Sequence, residues 1–206
     1  VIRPMREGVI ADYLTTEAAD TLGLTDSSFT AMAWVKLNSV SGDQSILGTD
    51  TLLDREGLHL VVRNGVPYMG FYGSGNDTAG TTTLETGKWY HLAFRYNKDT
   101  QQQAIFVNGV QDVAATGKAS FLGTDTVHVG KSRGGHYIDG LIDHVVIQRT
   151  ALSVADIRAI MNEAPVLNLH LDEDLATTTF IDETPLANHA TCATSSCPEA
   201  GAKGQM

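Results

Sequence analysis

Two Asn-Gly dipeptides constrain the fold of this chain more than any other sequence feature. Asn64-Gly65 separates two apolar runs within LHLVVRNGVPYMGFYG (58–73), and Asn108-Gly109 does the same within AIFVNGVQDV (104–113). The tight two-residue turn of a β-hairpin requires positive φ at both central residues, which Asn-Gly adopts easily. The sequence therefore predicts two β-hairpins and a mostly antiparallel architecture.

Other apolar runs predict further strands, and clusters of turn residues separate them. The clearest runs are SFTAMAWVKL (28–37), KWYHLAFRYN (88–97) and TVHVGKS (126–132). Short strands at this spacing are typical of a β-sandwich or a jelly roll. The predicted fold class is therefore all-β.

One helix is predicted, within LSVADIRAIMNEAP. Ser153 followed by Asp156 forms an acidic version of the capping box, and Pro165 prevents the helix from continuing. Ile157, Ile160 and Met161 line one side of this helix.

Composition limits the classes of partner. The chain has 206 residues, of which 42% are hydrophobic, and this suits one sizeable domain with its own core. The formal net charge of -10 disfavours nucleic acids and anionic membranes, because the long-range field repels both, whereas it suits cations such as Ca²⁺. No stretch approaches the ~18 apolar residues that a membrane span needs. We therefore expect no nucleic-acid partner and no membrane insertion.

The C-terminal part of the chain has a different pattern. VLNLHLDE (166–173) alternates like a strand, whereas residues 174–206 are small, polar and weakly patterned. Cys192 and Cys197 are close enough in sequence for a small disulfide loop, which indicates an exported protein; the alternative is two free thiols. The sequence starts at Val1 without a signal peptide, and we expect it to be a mature piece or an excised fragment.

Six motifs follow one another along most of the chain: GVIADY (8–13), SFTAMAWV (28–35), GKWYHLAF (87–94), FVNGV (106–110), DGLIDHVVIQRTALS (139–153) and ADIRAI (155–160). In this order they resemble the laminin G-like, pentraxin-like modules of the concanavalin A-like lectin/glucanase superfamily. The sequence departs from that pattern at His144, where the family often has Glu after the Ile-Asp pair. The resemblance implies an antiparallel β-sandwich jelly roll of the concanavalin A-like type.

The resemblance also implies a domain organisation. Residues 1–173 are expected to form the laminin G-like β-sandwich, with strand 166–172 completing it. Residues 174–206 are then a loop-rich tail that resembles the opening of a following module. The alternative is that strand 166–172 belongs to that following module.

Catalytic motifs are missing from the sequence. Glucanases of the superfamily carry a Glu-x-Asp-x-Glu type of strand, because hydrolysis needs paired carboxylates at a fixed separation, and no such strand occurs here. The sequence also lacks a Gly-x-Ser-x-Gly elbow, a His-Glu-x-x-His motif and a Walker loop. We therefore predict that this chain is not an enzyme.

Asp143 raises a question within the run YIDGLIDHVVIQR (137–149). It has the same parity as Leu141, Val145 and Ile147, so a regular strand places it among apolar neighbours. A buried carboxylate is costly unless something pairs with it. Either this face is solvated, or Asp143 has a partner, which is an arginine or a metal ion.

The resemblance implies that the partner of Asp143 is a structural Ca²⁺. In the superfamily, an aspartate on the corresponding strand binds this ion together with backbone carbonyls near the first strand, which here means Glu7 and Gly8. Asp12 is a weaker candidate, because an exposed strand residue explains it as well. Calcium takes several oxygen ligands, and many of these are carbonyls.

Loop tips are the predicted ligand-binding region. Tyrosine rings stack on sugars and anchor interfaces, and polar side chains in loops provide specific contacts. The candidates are Asp54, Tyr72, Asn76, Asp77, Arg133, His136 and Tyr137. A solvated turn residue is the simpler interpretation of each acidic or amide side chain alone, because Asp and Asn favour turns.

The predicted function is a non-catalytic recognition or adhesion module of a secreted or cell-surface multidomain protein. It is expected to bind carbohydrate or an extracellular protein, beside neighbouring modules of the same chain and with a structural Ca²⁺. The alternatives are a structural spacer, or an ancillary binding module of a glycosidase or protease whose catalytic domain lies outside this sequence. This step rests on the resemblance, because a fold does not fix a function.

Overall fold

The structure is a computed structural model that describes residues 13–73, 75–163, 179–180 and 190–191. The chain divides into two compact units, Val1–Met161 and Asn162–Met206. The elements in chain order are β1 (Leu14–Ala18), β2 (Phe29–Leu37), β3 (Asp43–Gly48), β4 (His59–Arg63), β5 (Val66–Gly70), β6 (Asp77–Ala79), β7 (Trp89–Asn97), β8 (Gln102–Val107), β9 (Val110–Ala115), β10 (Thr126–Val129), β11 (Lys131–Ser132), β12 (His136–Tyr137), β13 (Gly140–Gln148), α1 (Val154–Glu163), β14 (Thr179–Phe180) and β15 (Ala190–Thr191).

Two antiparallel sheets form the first unit. The larger sheet has six strands in the order β1-β10-β3-β4-β5-β6, and the other has five in the order β13-β2-β7-β8-β9. Every strand pair within them is antiparallel. This arrangement confirms the predicted all-β, concanavalin A-like jelly roll.

Both Asn-Gly turns lie where the sequence predicts them. Asn64 and Gly65 have φ values of 49° and 84°, and Asn108 and Gly109 have values of 49° and 71°. These values belong to the left-handed region that a type I′ hairpin turn requires. The first turn aligns β4 with β5, and the second aligns β8 with β9.

The core lies between the two sheets and is built from alternate residues of their strands. Its largest fully buried side chains are aromatic and include Phe94. The rings of Phe29, Tyr96 and Phe121 each contact the ring of Phe71. Burying such a side chain contributes about 1.5–3 kcal/mol relative to leaving it exposed. The alternation therefore leaves each sheet one outward face for other uses.

Helix α1 covers part of the outward face of the five-stranded sheet. Ile157 is fully buried there with Met32 and Phe106. At the start of the helix, the Ser153 hydroxyl donates to Asp156 at 2.6 Å, and the Asp156 backbone N–H donates back to Ser153 Oγ at 3.2 Å. The predicted capping box is confirmed, and it fixes where the helix begins.

A β-bulge determines on which face of the sheet Asp143 lies. The pairing of β13 with β2 shifts between Asp143 and Val146, and His144 has a φ of 46°. Because the extra residue reverses the alternation, Val145 and Ile147 pack against the core while Asp143 does not share their face. The expectation that these three residues share one face was wrong, because it assumed a regular strand.

The hairpin of β11 and β12 folds back over β3. The hydroxyls of Ser132 and Ser45 lie 2.6 Å apart, and the Arg133 backbone N–H donates to the Thr49 carbonyl at 2.9 Å. Gly48 is required here, because a Cβ on it would collide with Ser132. The hairpin is therefore fixed against the outward face of the six-stranded sheet.

The described residues of the second unit form one short antiparallel pair, in which Thr179 lies opposite Thr191. The predicted strand 166–172, Pro165 and the Cys192–Cys197 pair lie outside the described residues, and these predictions stay predictions. Among the described residues, no helix has the length and apolar character that crossing a membrane requires.

Candidate ligand-binding site

The hairpin of β4 and β5 lines up polar side chains on the outward face of the six-stranded sheet. His59, Val61 and Arg63 alternate with the core residues Leu60 and Val62 along β4. On β5, Tyr68 lies directly opposite Val61. The type I′ turn thus sets the register that places the tyrosine between a histidine and an arginine.

The Tyr68 ring is held on both sides. The Arg63 guanidinium carbon lies 4.0 Å from the ring centroid, and the His59 ring is nearly parallel to it, with 6.0 Å between centroids. The Tyr68 hydroxyl donates to Asp77 Oδ2 at 3.2 Å. Burial, followed by the Asp77 charge, raises the pKa of the phenol. Tyr68 is therefore a fixed, neutral donor.

Asp43 binds two arginines at once. Arg63 donates from Nε to Oδ1 at 2.6 Å and from Nη2 to Oδ2 at 2.9 Å, and Arg133 donates from Nη2 to Oδ2 at 2.9 Å. The Asp43 side chain is only 8% exposed. Burial raises its pKa, but the bonds from Arg63 and Arg133 outweigh this and lower the pKa to about 2. Asp43 is therefore ionised across the physiological range.

Arg133 extends this network to Tyr72. Its guanidinium carbon lies 5.7 Å from the Tyr72 ring centroid. Its Nε is buried and has no hydrogen-bond partner among the described residues. We call Asp43, Arg63, Tyr68, Tyr72 and Arg133 the arginine cluster. The Arg63 and Arg133 side chains are 27% and 22% exposed, and Tyr68 and Tyr72 are partly buried, so part of the aromatic and guanidinium surface faces solvent.

Tyr72 is held in an uncommon backbone conformation. Its φ of 63° lies in the left-handed region, which few non-glycine residues adopt and which is enriched at functional sites. The next residue is Gly73, with a φ of 90°, and a Cβ there would collide with the Asp54 carboxylate. The chain after β5 thus fixes the backbone of Tyr72 and brings the Asp54 carboxylate against Gly73.

Four of the predicted ligand-binding residues are brought into one region. Tyr72 and Arg133 belong to the arginine cluster, Asp77 is bound to Tyr68 within it, and Asp54 adjoins Tyr72 through Gly73. Asp77 also lies 3.4 Å from His59 Nε2. Burial raises the pKa of Asp77, but the bonds from His59 and Tyr68 outweigh burial and lower it.

The other three predicted residues lie elsewhere. Asn76 is buried, and its side-chain oxygen accepts a bond from the Ala119 backbone N–H at 3.1 Å. His136 is exposed on β12. Tyr137, on the same strand, contacts Tyr13 with 6.0 Å between ring centroids. The contacts of Asn76 and Tyr137 therefore do not join them to the arginine cluster.

Comparison with known proteins identifies the family. A laminin G family model, described as concanavalin A-like lectin/glucanases superfamily, matches residues 8–158. This chain belongs to that superfamily. The resemblance stated from the six motifs is therefore confirmed. None of the curated proteins compared with the chain matches it.

Several solved structures resemble this domain at low sequence identity. Domain 4 of AbnA, an extracellular arabinanase from Geobacillus stearothermophilus in complex with arabinotriose, is 20% identical, with a TM-score of 0.56 over 71% of this chain and 70% of that one. The CBM40 of a Ruminococcus gnavus sialidase bound to α2,3-sialyllactose is 18% identical, with a TM-score of 0.59 over 73% and 96%. A putative carbohydrate-binding protein from Bacteroides ovatus is 19% identical, with a TM-score of 0.57 over 89% and 56%. At these identities the likeness shows the fold.

The metal site that the superfamily implies is only partly within the described residues. Asp143 lies beside Trp34 across the β13–β2 pair, on the outward face of the five-stranded sheet, and its Oδ1 accepts the His144 backbone N–H at 2.8 Å. Glu7, Gly8 and Asp12 lie outside the described residues. Within residues 13–73 and 75–163, no three His, Cys, Asp or Glu side chains are grouped for a metal ion. The calcium prediction stays a prediction.

Three residues of the site were not identified from sequence, although a signal for them exists. Asn64-Gly65 fixes the hairpin register, and that register puts His59, Arg63 and Tyr68 on one face. Ligand contacts were predicted at loop tips, whereas these three residues lie on strands.

Proposed function

We propose that this domain is a non-catalytic carbohydrate-binding module whose ligand lies against the outward face of the six-stranded sheet. The observation that carries the proposal is the arginine cluster. Its two tyrosines and two arginines are partly exposed on a sheet face, and their contacts hold them in place. Sugars need such surfaces, because each has apolar C–H patches for aromatic rings and hydroxyls for fixed donors.

Pre-arrangement of these side chains favours binding. Arg63 and Arg133 are long side chains that lose rotamer freedom when a ligand immobilises them, at about 0.5–1.5 kcal/mol each. Here Asp43 holds both before a ligand arrives. The ordering cost is thus met during folding, so more of each contact contributes to affinity.

The protonation of the site favours binding over hydrolysis. A glycosidase needs one carboxylic acid of raised pKa beside a second carboxylate. Burial raises the pKa values of Asp43 and Asp77, yet hydrogen bonds outweigh burial, and both end below their ordinary value. Neither can act as the general acid at neutral pH. The similar structures bound to arabinotriose and sialyllactose add support for a carbohydrate ligand.

Calcium and secretion belong to this proposal as well. The bulge places Asp143, which is partly buried, on the outward face of the five-stranded sheet and away from the core. Asp143, with carbonyls near Glu7 and Gly8, would hold a Ca²⁺ that stabilises the sandwich away from the arginine cluster. The parent protein would be secreted or attached to a cell surface, where glycans are found.

Glycan-array binding followed by calorimetry tests the proposal. Arg133→Ala and Tyr72→Ala should weaken binding about 30-fold each, since truncating a central contact residue costs about 2 kcal/mol. Arg149→Ala is the matched control, because it removes an exposed guanidinium at the end of β13. If the wild type binds no glycan, or if the two site variants bind as tightly as the control, the proposal is wrong. The interpretation of this domain as a structural spacer is then favoured.

A further inference from the structure

We infer that the sugar recognised at the arginine cluster is acidic, and that its carboxylate lies against the guanidiniums of Arg63 and Arg133. This inference rests on the proposed function and names its ligand class. The juxtaposition behind it is two arginines, from β4 and from the turn after β11, that meet on one aspartate.

The two guanidiniums of the cluster share one bonded carboxylate. Both arginines bind Asp43, so neither has a carboxylate to itself. The whole chain has 14 basic residues against 24 acidic ones, which makes a pair of converging arginines unusual for its surface. Two converging guanidiniums provide a local binding point for an anion within an acidic protein, whose overall field repels anions.

The guanidiniums also retain free donors. Hydrogen bonds to described residues engage Nε and Nη2 of Arg63 and only Nη2 of Arg133. Nη1 of both arginines has no such bond, whereas the Arg133 Nε is buried and not available to a ligand from solvent. A planar guanidinium binds carboxylates through paired N–H groups, and such charge-assisted bonds are about twice as strong as neutral ones. Neutral sugar hydroxyls would leave that capacity unused.

Two other carboxylates lie near the cluster and must be considered. Asp77 binds the Tyr68 hydroxyl and the His59 ring, so its hydrogen bonds do not occupy the arginine donors, although its charge acts on Arg63. Asp54 is exposed beside Gly73, the residue after Tyr72. Its charge disfavours an anion beside Gly73, so we place the ligand carboxylate on the Nη1 groups of the two arginines.

Matched acidic and neutral glycans provide the experiment. Uronic-acid oligosaccharides and sialyllactose are each titrated calorimetrically into the full chain beside their methyl esters, which keep the shape but remove the charge. The acidic members should bind about tenfold to a hundredfold more tightly than the esters. The separate titrations with uronic-acid oligosaccharides and with sialyllactose show which class of acidic sugar supplies the carboxylate.

Arg133→Gln should remove most of this preference and weaken the esters less, provided that its thermal unfolding midpoint matches that of Arg149→Gln. If the esters or neutral glycans bind as tightly as the acids, the inference is wrong although the carbohydrate function stands. If no glycan binds at all, the proposed function fails as well. The ester comparison uses only wild-type protein, so it decides the question even when a variant does not fold.

Discussion

His91 makes the stability of this domain depend on pH in a defined window. The side chain lies on β7 beside Trp34 and is only 1% exposed, and neither ring nitrogen has a hydrogen-bond partner among the described residues. Burial, and to a lesser degree the charge of His144, lower its pKa from 6.5 to about 4. His91 is therefore protonated at a lower pH in the folded protein than in the unfolded chain.

The sign and size of the effect follow from that difference. Between pH 6.5 and 4 the unfolded state holds the His91 proton and the folded state does not, so the free energy of unfolding decreases as the pH falls through this window. From pH 7.5 to 4.5, proton linkage with these two pKa values gives a loss of about 2.5 kcal/mol. That is a large part of the ~5–15 kcal/mol that holds a typical domain folded.

Urea unfolding at pH 7.5, 6.5, 5.5 and 4.5 measures this loss in wild type and in His91→Phe. The variant removes the buried ring nitrogens and should lose about 2.5 kcal/mol less stability over the range. His136→Phe is the matched control, because that histidine is exposed, and it should leave the wild-type slope unchanged. If His91→Phe has the same pH dependence as wild type, His91 is not buried in its neutral form and the reasoning fails.

Three further predictions concern the two outward faces. Asp43→Asn should lower the free energy of unfolding by about 3 kcal/mol, because it leaves two arginines without their shared carboxylate; urea unfolding beside the exposed Asp99→Asn measures this, and equal stability of the two variants would contradict it. Gly73→Ala should displace Tyr72 and abolish glycan binding with a smaller change in the unfolding midpoint, since the new methyl group meets a carboxylate at a left-handed φ of 90°. Added Ca²⁺ should raise the thermal unfolding midpoint of wild type, and EDTA should lower it, whereas neither should change the midpoint of Asp143→Ala. If neither changes the wild-type midpoint, the calcium prediction is wrong.

The sequence predicts the strands of this domain well, because their signals are local. Each Asn-Gly turn lies between two apolar runs, and the positive φ that the turn demands is cheap for those two residues. The capping box of Ser153 and Asp156 is likewise contained within four residues. Such features do not depend on what packs against them, so a single sequence is enough to place them.

The bulge at Asp143 could not be predicted in the same way. The positive φ falls on His144, and no glycine marks it. Parity along β13 therefore gave the wrong face for every residue on one side of the bulge, including Val145 and Ile147. The β13–β2 pairing places the shift, because Asp143 lies opposite Trp34 while Val146 lies opposite Met32.

The arginine cluster is only partly encoded by local sequence signals. Its β4–β5 half follows from the Asn64-Gly65 turn, which places Arg63 and Tyr68 on one face before any tertiary contact is considered. Its other half depends on Arg133, which is 90 residues from Asp43 and reaches it only because the β11–β12 hairpin folds over β3. No periodicity connects two such segments. Loop chemistry could name Arg133 and Tyr72 as candidates, and the turn could have placed Arg63 and Tyr68, but neither signal shows that the two arginines meet on Asp43.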